Sequence, residues 1–205
     1  MNADMSEKSE LRAELLGARR LLSTEDVQET AAVLARHALG LPELADAGTV
    51  AAYVSVGREP GTRALLDGLR ARGVRVLLPV LLADNDLDWG TYRGPDRLEP
   101  AGRGLLEPAG ERLGPDAVVT ADTVLLPGLA VDARGMRLGR GGGSYDRVLA
   151  RLAAAGAHPA LVVLLYAHEV VARVPVEPHD HPVHAVVTPD GVSRFRAPSG
   201  PAGGE

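Results

Sequence analysis

Residues 117–131, AVVTADTVLLPGLAV, form an almost continuous apolar run rich in β-branched side chains, the pattern of a strand covered on both faces. Outward from it the same pattern recurs in ALVVLLY (160–166), VRVLLPVLL (74–82) and TVAAYVS (49–55). Segments of helical period separate these runs. Leu65, Leu66 and Leu69 share the inward face of a helix around residues 62–72 that Gly73 stops, and Tyr145, Val148, Leu149 and Leu152 share one face of a helix after Ser144. Buried strands alternating with helices predict a single α/β domain with a largely parallel central sheet and helices on both faces. Residues 84–110 read as a loop-rich connection. In folds of this class, sites form at the carboxyl ends of the strands.

Ahead of the first strand, Leu11, Leu15, Leu16, Ala18 and Leu22 fall on one helical face. Ser23 with Asp26 has the spacing of a capping box, which restarts a helix through Val27, Ala31, Leu34 and Ala38 until Pro42 closes the region. The 205 residues, 45% hydrophobic and 24% charged, suffice for one domain with a substantial core. That domain is expected to span residues 1–196, with the low-complexity stretch 197–205, APSGPAGGE, as a mobile tail. A formal net charge of −5 gives no footprint for nucleic-acid binding. The absence of cysteine excludes disulfides, thiolate nucleophiles and cysteine-ligated zinc or iron–sulfur sites. The opening MNADMSEKSE is polar and acidic where a secretory leader is basic and then apolar, and no run reaches the length of a membrane span. A cytoplasmic protein with no membrane partner is therefore expected; the sequence leaves the oligomeric state open, with a monomer favoured.

The segment 135–146 carries five glycines between a strand candidate and an amphipathic helix. Glycines so placed let backbone N–H groups approach an oxyanion, and the helix N-terminus behind them adds favourable partial charge. Arg137, Arg140 and Arg147 punctuate the loop with guanidinium groups suited to phosphate or carboxylate. The segment is not a Walker A loop, because no Lys-Ser/Thr pair follows the glycines. It is not a dinucleotide fingerprint either, because either choice of the first two glycines places Ser144 or Asp146 where the last glycine belongs. It reads as a phosphate cradle of another type, with a flexible surface turn carrying solubilising arginines as the competing reading.

Taken as an ordered string, PGLAVDARGMRLGRGGGSYDR at residues 127–147 resembles the signature of the 5-formyltetrahydrofolate cyclo-ligase family. Other positions match that family in order: Lys8 and Arg12, then Arg19 and Arg20, in the first helix; Tyr53, Val54 and Ser55 with Glu59 and Thr62; Pro79; Glu107 with Pro108; and Pro175, His179 and Asp180. The resemblance implies ATP-dependent ring closure of 5-formyltetrahydrofolate to 5,10-methenyltetrahydrofolate, with ADP and phosphate released and Mg2+ as cofactor. It implies that Lys8, Arg12, Arg137, Gly139, Arg140, Gly141, Gly142, Gly143, Ser144 and Tyr145 bind ATP, with Arg140 and Lys8 catalytic. It implies that Asp146 and Asp180 hold magnesium, and that Val54, Glu59, Arg140, Gly143, Ser144 and Tyr145 bind the folate. Such a reaction needs no enzyme nucleophile and rests on positioning and charge stabilisation. For Glu59 the chemistry is direct: a carboxylate between a strand end and a helix can accept the pterin amino and ring N–H groups.

Several features compete with this reading. His179, His181 and His184 offer a zinc set, although a strand places the first two on one face and the third on the other. Trp89 is a stacking candidate that reads better as packing. The run DNDLD at residue 84 lacks the glycine a calcium loop needs. Ser144 stands where many family members carry a second tyrosine, Gly142 where some carry lysine, Val131 where phenylalanine is usual and His184 where aspartate is common. These departures define two alternatives: a folate- or nucleotide-binding homologue without catalysis, and an ATP-using enzyme with a changed substrate.

Overall fold

The computed structural model describes residues 2–178 and 180–195, with side chains from residue 7 onward. His179 and the expected tail at 197–205 lie outside the described residues. The chain opens with α1 (Asn2–Leu21) and α2 (Thr24–Leu39). At their junction the Ser23 hydroxyl accepts the Asp26 N–H at 3.0 Å, and the Asp26 carboxylate accepts the Ser23 N–H at 2.8 Å. This is the capping box that the spacing predicts. Pro42 does not close the region; it opens a one-turn α3 (Pro42–Ala45), because a fixed φ and a missing N–H suit a helix's first turn.

There follow β1 (Thr49–Ala51), α4 (Arg63–Ala71), β2 (Arg75–Leu81), β3 (Leu87–Thr91), β4 (Leu98–Pro100), β5 (Leu106–Pro108) and β6 (Thr123–Leu126). Then come β7 (Ala130–Val131), β8 (Arg137–Leu138), α5 (Ser144–Ala154), β9 (Ala160–Leu164), β10 (Ala185–Thr188) and β11 (Gly191–Arg194). Seven strands make one sheet in the order β11-β10-β9-β6-β1-β2-β3. Its five inner strands pair in parallel, and β11 and β3 close the two edges antiparallel.

Side chains alternate along the inner strands between two cores, which is why these strands are apolar throughout. Val50, Val76, Leu78, Leu125, Val162 and Leu164 face one way, against Leu34 and Ala38 of α2 and Leu65, Leu66 and Leu69 of α4. Ala51, Leu77, Val124, Leu126, Val163 and Val186 face the other way, against Val148, Leu149 and Leu152 of α5. The three α4 leucines are wholly buried, each contributing about 2 kcal/mol from apolar burial. Trp89 is also wholly buried in the second core, a packing residue and not a stacking platform.

The apolar run 117–131 is not one strand. Pro115 starts a 3-10 turn (Pro115–Thr120) that drops Val118 into the core. β6 then ends at Pro127, which has no N–H to donate to a ladder, and Ala130–Val131 pairs instead with β8 in a separate hairpin. TVAAYVS likewise pairs only over its first three residues. Beyond them Ser55 and Thr62 clasp each other: Ser55 N–H donates to Thr62 Oγ1 at 2.9 Å, Thr62 N–H to Ser55 Oγ at 3.0 Å, and Thr62 Oγ1 to Tyr53 O at 2.7 Å. The loop so closed carries Glu59. The expected loop region 84–110 contains β4, β5 and all of β3.

Candidate functional site

The carboxyl ends of β1, β2 and β6 deliver Tyr53, Val54, Pro79, Leu81 and Pro127 to one side of the sheet, where they line a cavity of about 460 Å³. Leu87, Leu105 and Leu106 complete its apolar wall. The opposite wall is polar: Arg137, Gly139, Arg140, Gly141, Gly142, Gly143, Ser144, Tyr145 and Asp146, with Glu59 at its edge. Val54 and Glu59 thus share one cavity with the whole glycine-rich loop.

The loop joins β8 to α5. Gly141 (φ +92°) and Gly143 (φ +76°) adopt left-handed backbone that only glycine takes without strain. Gly143 occupies the N-cap of α5 and has no side chain to cap it, so the first N–H groups of the helix are left for a ligand. Arg12 of α1 braces the loop, its Nε donating to Gly139 O at 2.9 Å. A Cβ on Gly141 would lie 3.4 Å from the Arg12 guanidinium carbon.

Arg137 is buried, its side chain 6% exposed, with Nη1 donating to Pro127 O at 2.8 Å and Nη2 lying 3.6 Å from Asp146 Oδ1. Burial lowers its pKa, partly offset by the charges of Asp146 and Asp180, and the guanidinium stays charged. Among the described residues three buried side-chain polar atoms have no partner: Trp89 Nε1 in the core, and Arg137 Nε and the Tyr145 hydroxyl in the cavity wall. Unsatisfied buried donors are costly, and two of the three belong to residues that line the cavity. Burial, with the nearby Glu59 charge, raises the Tyr145 pKa well above its ordinary value, so the hydroxyl is a donor at neutral pH.

Glu59 is held on both oxygens. Oε2 accepts the Val56 N–H at 2.9 Å, and Oε1 accepts Arg140 Nη1 at 2.9 Å across the mouth of the cavity. The carboxylate is 10% exposed and the arginine 52%. Arg140 therefore bridges the glycine-rich wall and the acid at the cavity's edge.

Lys8 and Asp180 do not line the cavity; they bind each other. Lys8 Nζ donates to Asp180 Oδ2 at 2.9 Å and to Glu177 Oε2 at 2.6 Å. Burial works against the ammonium, but the two carboxylates outweigh it and raise its pKa above the usual lysine value. Asp180 Oδ2 also accepts the Glu177 N–H at 2.7 Å. Asp146, half exposed in the first turn of α5, is open to the cavity. No group of three or more metal-binding side chains converges among the described residues. Magnesium takes only one or two carboxylates beside phosphate oxygens and water, so Asp146 fits that ion with ATP present. His184 is used elsewhere: its Nδ1 accepts the Leu161 N–H at 2.8 Å.

Two site residues escape the sequence reading. Glu177 is the nearer partner of Lys8, and nothing in its spacing marks it. Asp132 is wholly buried and organises the hairpin that launches the loop. Its Oδ1 accepts N–H groups of Arg134 (2.9 Å) and Met136 (3.2 Å), and its Oδ2 accepts Val174 N–H (3.0 Å) and Arg134 Nη2 (2.6 Å). An acid followed by a basic residue and a glycine, as in DARG, is a turn signal that points to it.

This arrangement has known counterparts. The family model described as 5-formyltetrahydrofolate cyclo-ligase matches residues 4–189. The 5-formyltetrahydrofolate cyclo-ligase of Mycolicibacterium smegmatis is 43% identical over 189 residues, covering 89% of this chain and 93% of its own. The enzyme of that name from Escherichia coli is 34% identical over 178 residues, covering 85% and 96%. The solved structure of Aquifex aeolicus 5,10-methenyltetrahydrofolate synthetase is similar with a TM-score of 0.78 at 30% identity, over 94% of this chain and 95% of that one. Matched along nearly its whole described length in sequence and in fold, the chain belongs to the 5-formyltetrahydrofolate cyclo-ligase family.

Proposed function

We infer that the cavity closes 5-formyltetrahydrofolate to 5,10-methenyltetrahydrofolate at the expense of ATP. The formyl oxygen attacks the γ-phosphorus and ADP departs, which leaves the formyl carbon bonded to a phosphate leaving group. The anilino nitrogen then attacks that carbon, loses its proton and expels phosphate. The observation that carries this reading is the pairing, in one cavity, of an apolar wall with an anion-binding wall.

The α5 N-terminus, Arg12 and the unpartnered Arg137 Nε supply fixed positive potential for the triphosphate. Arg140 moves from Glu59 to the transferring phosphoryl group and neutralises the charge that develops there. Glu59, so released, accepts the pterin N–H groups, with Val54, Ser144 and Tyr145 around the ring. Magnesium held by Asp146 would offset the charge of the ATP phosphates. Lys8 and Asp180 fix α1 against the segment that follows β9 and reach the nucleotide when it draws that ion pair apart. The apolar wall keeps water from the activated carbon, which would otherwise revert to the formyl compound. ATP as co-substrate fits a cytoplasmic location, and the net negative charge fits a protein that leaves nucleic acid alone; a monomer suffices, since one chain supplies every group named.

The test is direct: purified protein, ATP, magnesium and 5-formyltetrahydrofolate should yield the absorbance of the methenyl product. Binding of both ligands without product would mark a binding homologue instead. Arg140→Ala should lower kcat by about a thousandfold, as for loss of a transition-state arginine, with the circular dichroism spectrum unchanged.

A further inference from the structure

Arg19, near the end of α1, is buried with its charge: its side chain is 4% exposed, and that of Glu169 beside it 0%. Arg19 Nε donates to Glu169 Oε1 at 2.6 Å and Nη2 donates to Oε2 at 3.0 Å, a forked contact that fixes the plane of the guanidinium as well as its place. Glu169 is fixed in turn. Its Oε2 also accepts the Tyr166 N–H at 2.9 Å, and the Tyr166 ring centroid lies 5.8 Å from the guanidinium carbon. A buried ion pair is weak evidence of stabilisation, because apolar side chains of similar volume often serve as well. The pair therefore calls for another account.

A further bond supplies one. Arg19 Nη2 also donates to Gly128 O at 2.7 Å. Gly128 follows Pro127, just past the end of β6, and Pro127 O accepts Arg137 Nη1 at 2.8 Å. Two consecutive carbonyls thus bind two buried arginines, one from α1 and one from the cavity wall. The turn is also tightly enclosed: a Cβ on Gly128 would lie 3.0 Å from Val163 Cγ2 of β9 and 3.4 Å from Arg137 Cγ. Close-packed groups transmit displacement. A shift of Gly128 therefore moves Pro127 O, and with it the guanidinium of Arg137, whose Nε has no partner.

We propose that Arg19 and Glu169 are positioning residues for the reaction: the ion pair pins Gly128 O, the pinned turn holds Pro127 O, and Pro127 O orients Arg137 for the triphosphate. The proposal rests on the nucleotide role given to Arg137 above. Arg19 acts through the turn and not as a ligand, since it is not among the described residues that line the cavity.

The experiment is steady-state kinetics of the full chain, with ATP varied at saturating 5-formyltetrahydrofolate. Arg19→Lys keeps the charge but replaces the fork by a single nitrogen. Arg19→Met combined with Glu169→Gln removes both charges and leaves the Tyr166 N–H an acceptor, so it carries the test if the lysine variant does not fold. Each should raise the KM for ATP about tenfold, as for a lost hydrogen bond to a charged group. Each should leave kcat within about threefold, because a fixed charge that binds ground state and transition state alike acts on KM. In Arg137→Lys protein, which should itself show a raised KM for ATP, the same changes should alter that KM by less than about twofold, since no fork is left to aim. An unchanged KM for ATP in the Arg19 variants, with or without a lower kcat, makes the pair structural only and overturns the proposal. An equal rise with and without Arg137 overturns it too. An unchanged KM for ATP in Arg137→Lys overturns the nucleotide role of Arg137 and the proposal with it.

Discussion

Within the glycine run, Gly142 differs from its neighbours. Its backbone is not left-handed and a Cβ there would meet no atom within 4 Å, whereas Gly141 and Gly143 both have positive φ. Gly142→Lys, the side chain some family members carry, should leave the melting temperature within about 2 °C, as for an unstrained surface change. The added ammonium should lower the KM for ATP in the coupled assay. Gly141→Ala should do the opposite, because a left-handed Cβ costs about 1–2 kcal/mol and crowds the Arg12 guanidinium. A rise of about tenfold in the KM for ATP is expected from that energy. The types of residue in this loop were readable from sequence; which glycine is obligatory was not, because φ is set by how β8 and α5 are joined.

At the scale of elements, the β7–β8 hairpin is the piece that aims the loop, and Asp132 holds it. Burial raises the cost of that carboxylate's charge, but the Arg134 side chain and the N–H groups of Val174, Arg134 and Met136 overcome it, so its pKa lies below the ordinary aspartate value. The stability it contributes is present above the unfolded-state pKa, near about 4, and is lost as pH falls through the lower folded value. Asp132→Ala should cost about 3 kcal/mol at neutral pH, since it strands buried N–H groups, and should flatten the acid limb of a stability–pH profile below about pH 4. The capping box, α4, α5 and β9 were legible because each is declared by local pattern. The hairpin was not: it has only two residues per strand, and apolar content says that a segment is buried without saying which partner it pairs with. The same limit hid the 3-10 turn at Pro115–Thr120 inside an apparent strand, and hid β10 and β11 altogether.

For the whole molecule, the cavity is assembled from strand ends, the loop before α5 and the flank of α1, so ligand binding should stabilise the entire domain. At a hundredfold excess over Kd, ATP with magnesium should add about 2.7 kcal/mol, which for a chain of this size raises the melting temperature by about 5–10 °C. Asp146→Asn should abolish the magnesium-dependent part of that shift, measured by thermal unfolding with and without the metal. The parallel sheet and its two cores followed from the sequence, as did the placing of the glycine-rich loop at the strands' carboxyl ends with Glu59 near it. The joining of Lys8 to Glu177 and Asp180 did not, because a contact between residues 169 and 172 positions apart leaves no periodic trace. Three turns of α1 are held by distant segments: Lys8 by residues 177 and 180, Arg12 by Gly139, and Arg19 by Gly128 and Glu169. During synthesis every one of these partners follows α1, so its full set of contacts can form only once the segment after β9 has been made. Completion of the wall that Arg12 braces is thereby tied to a late, long-range step, and on the proposed function a nascent chain would acquire affinity for ATP only after nearly all of its domain has been made.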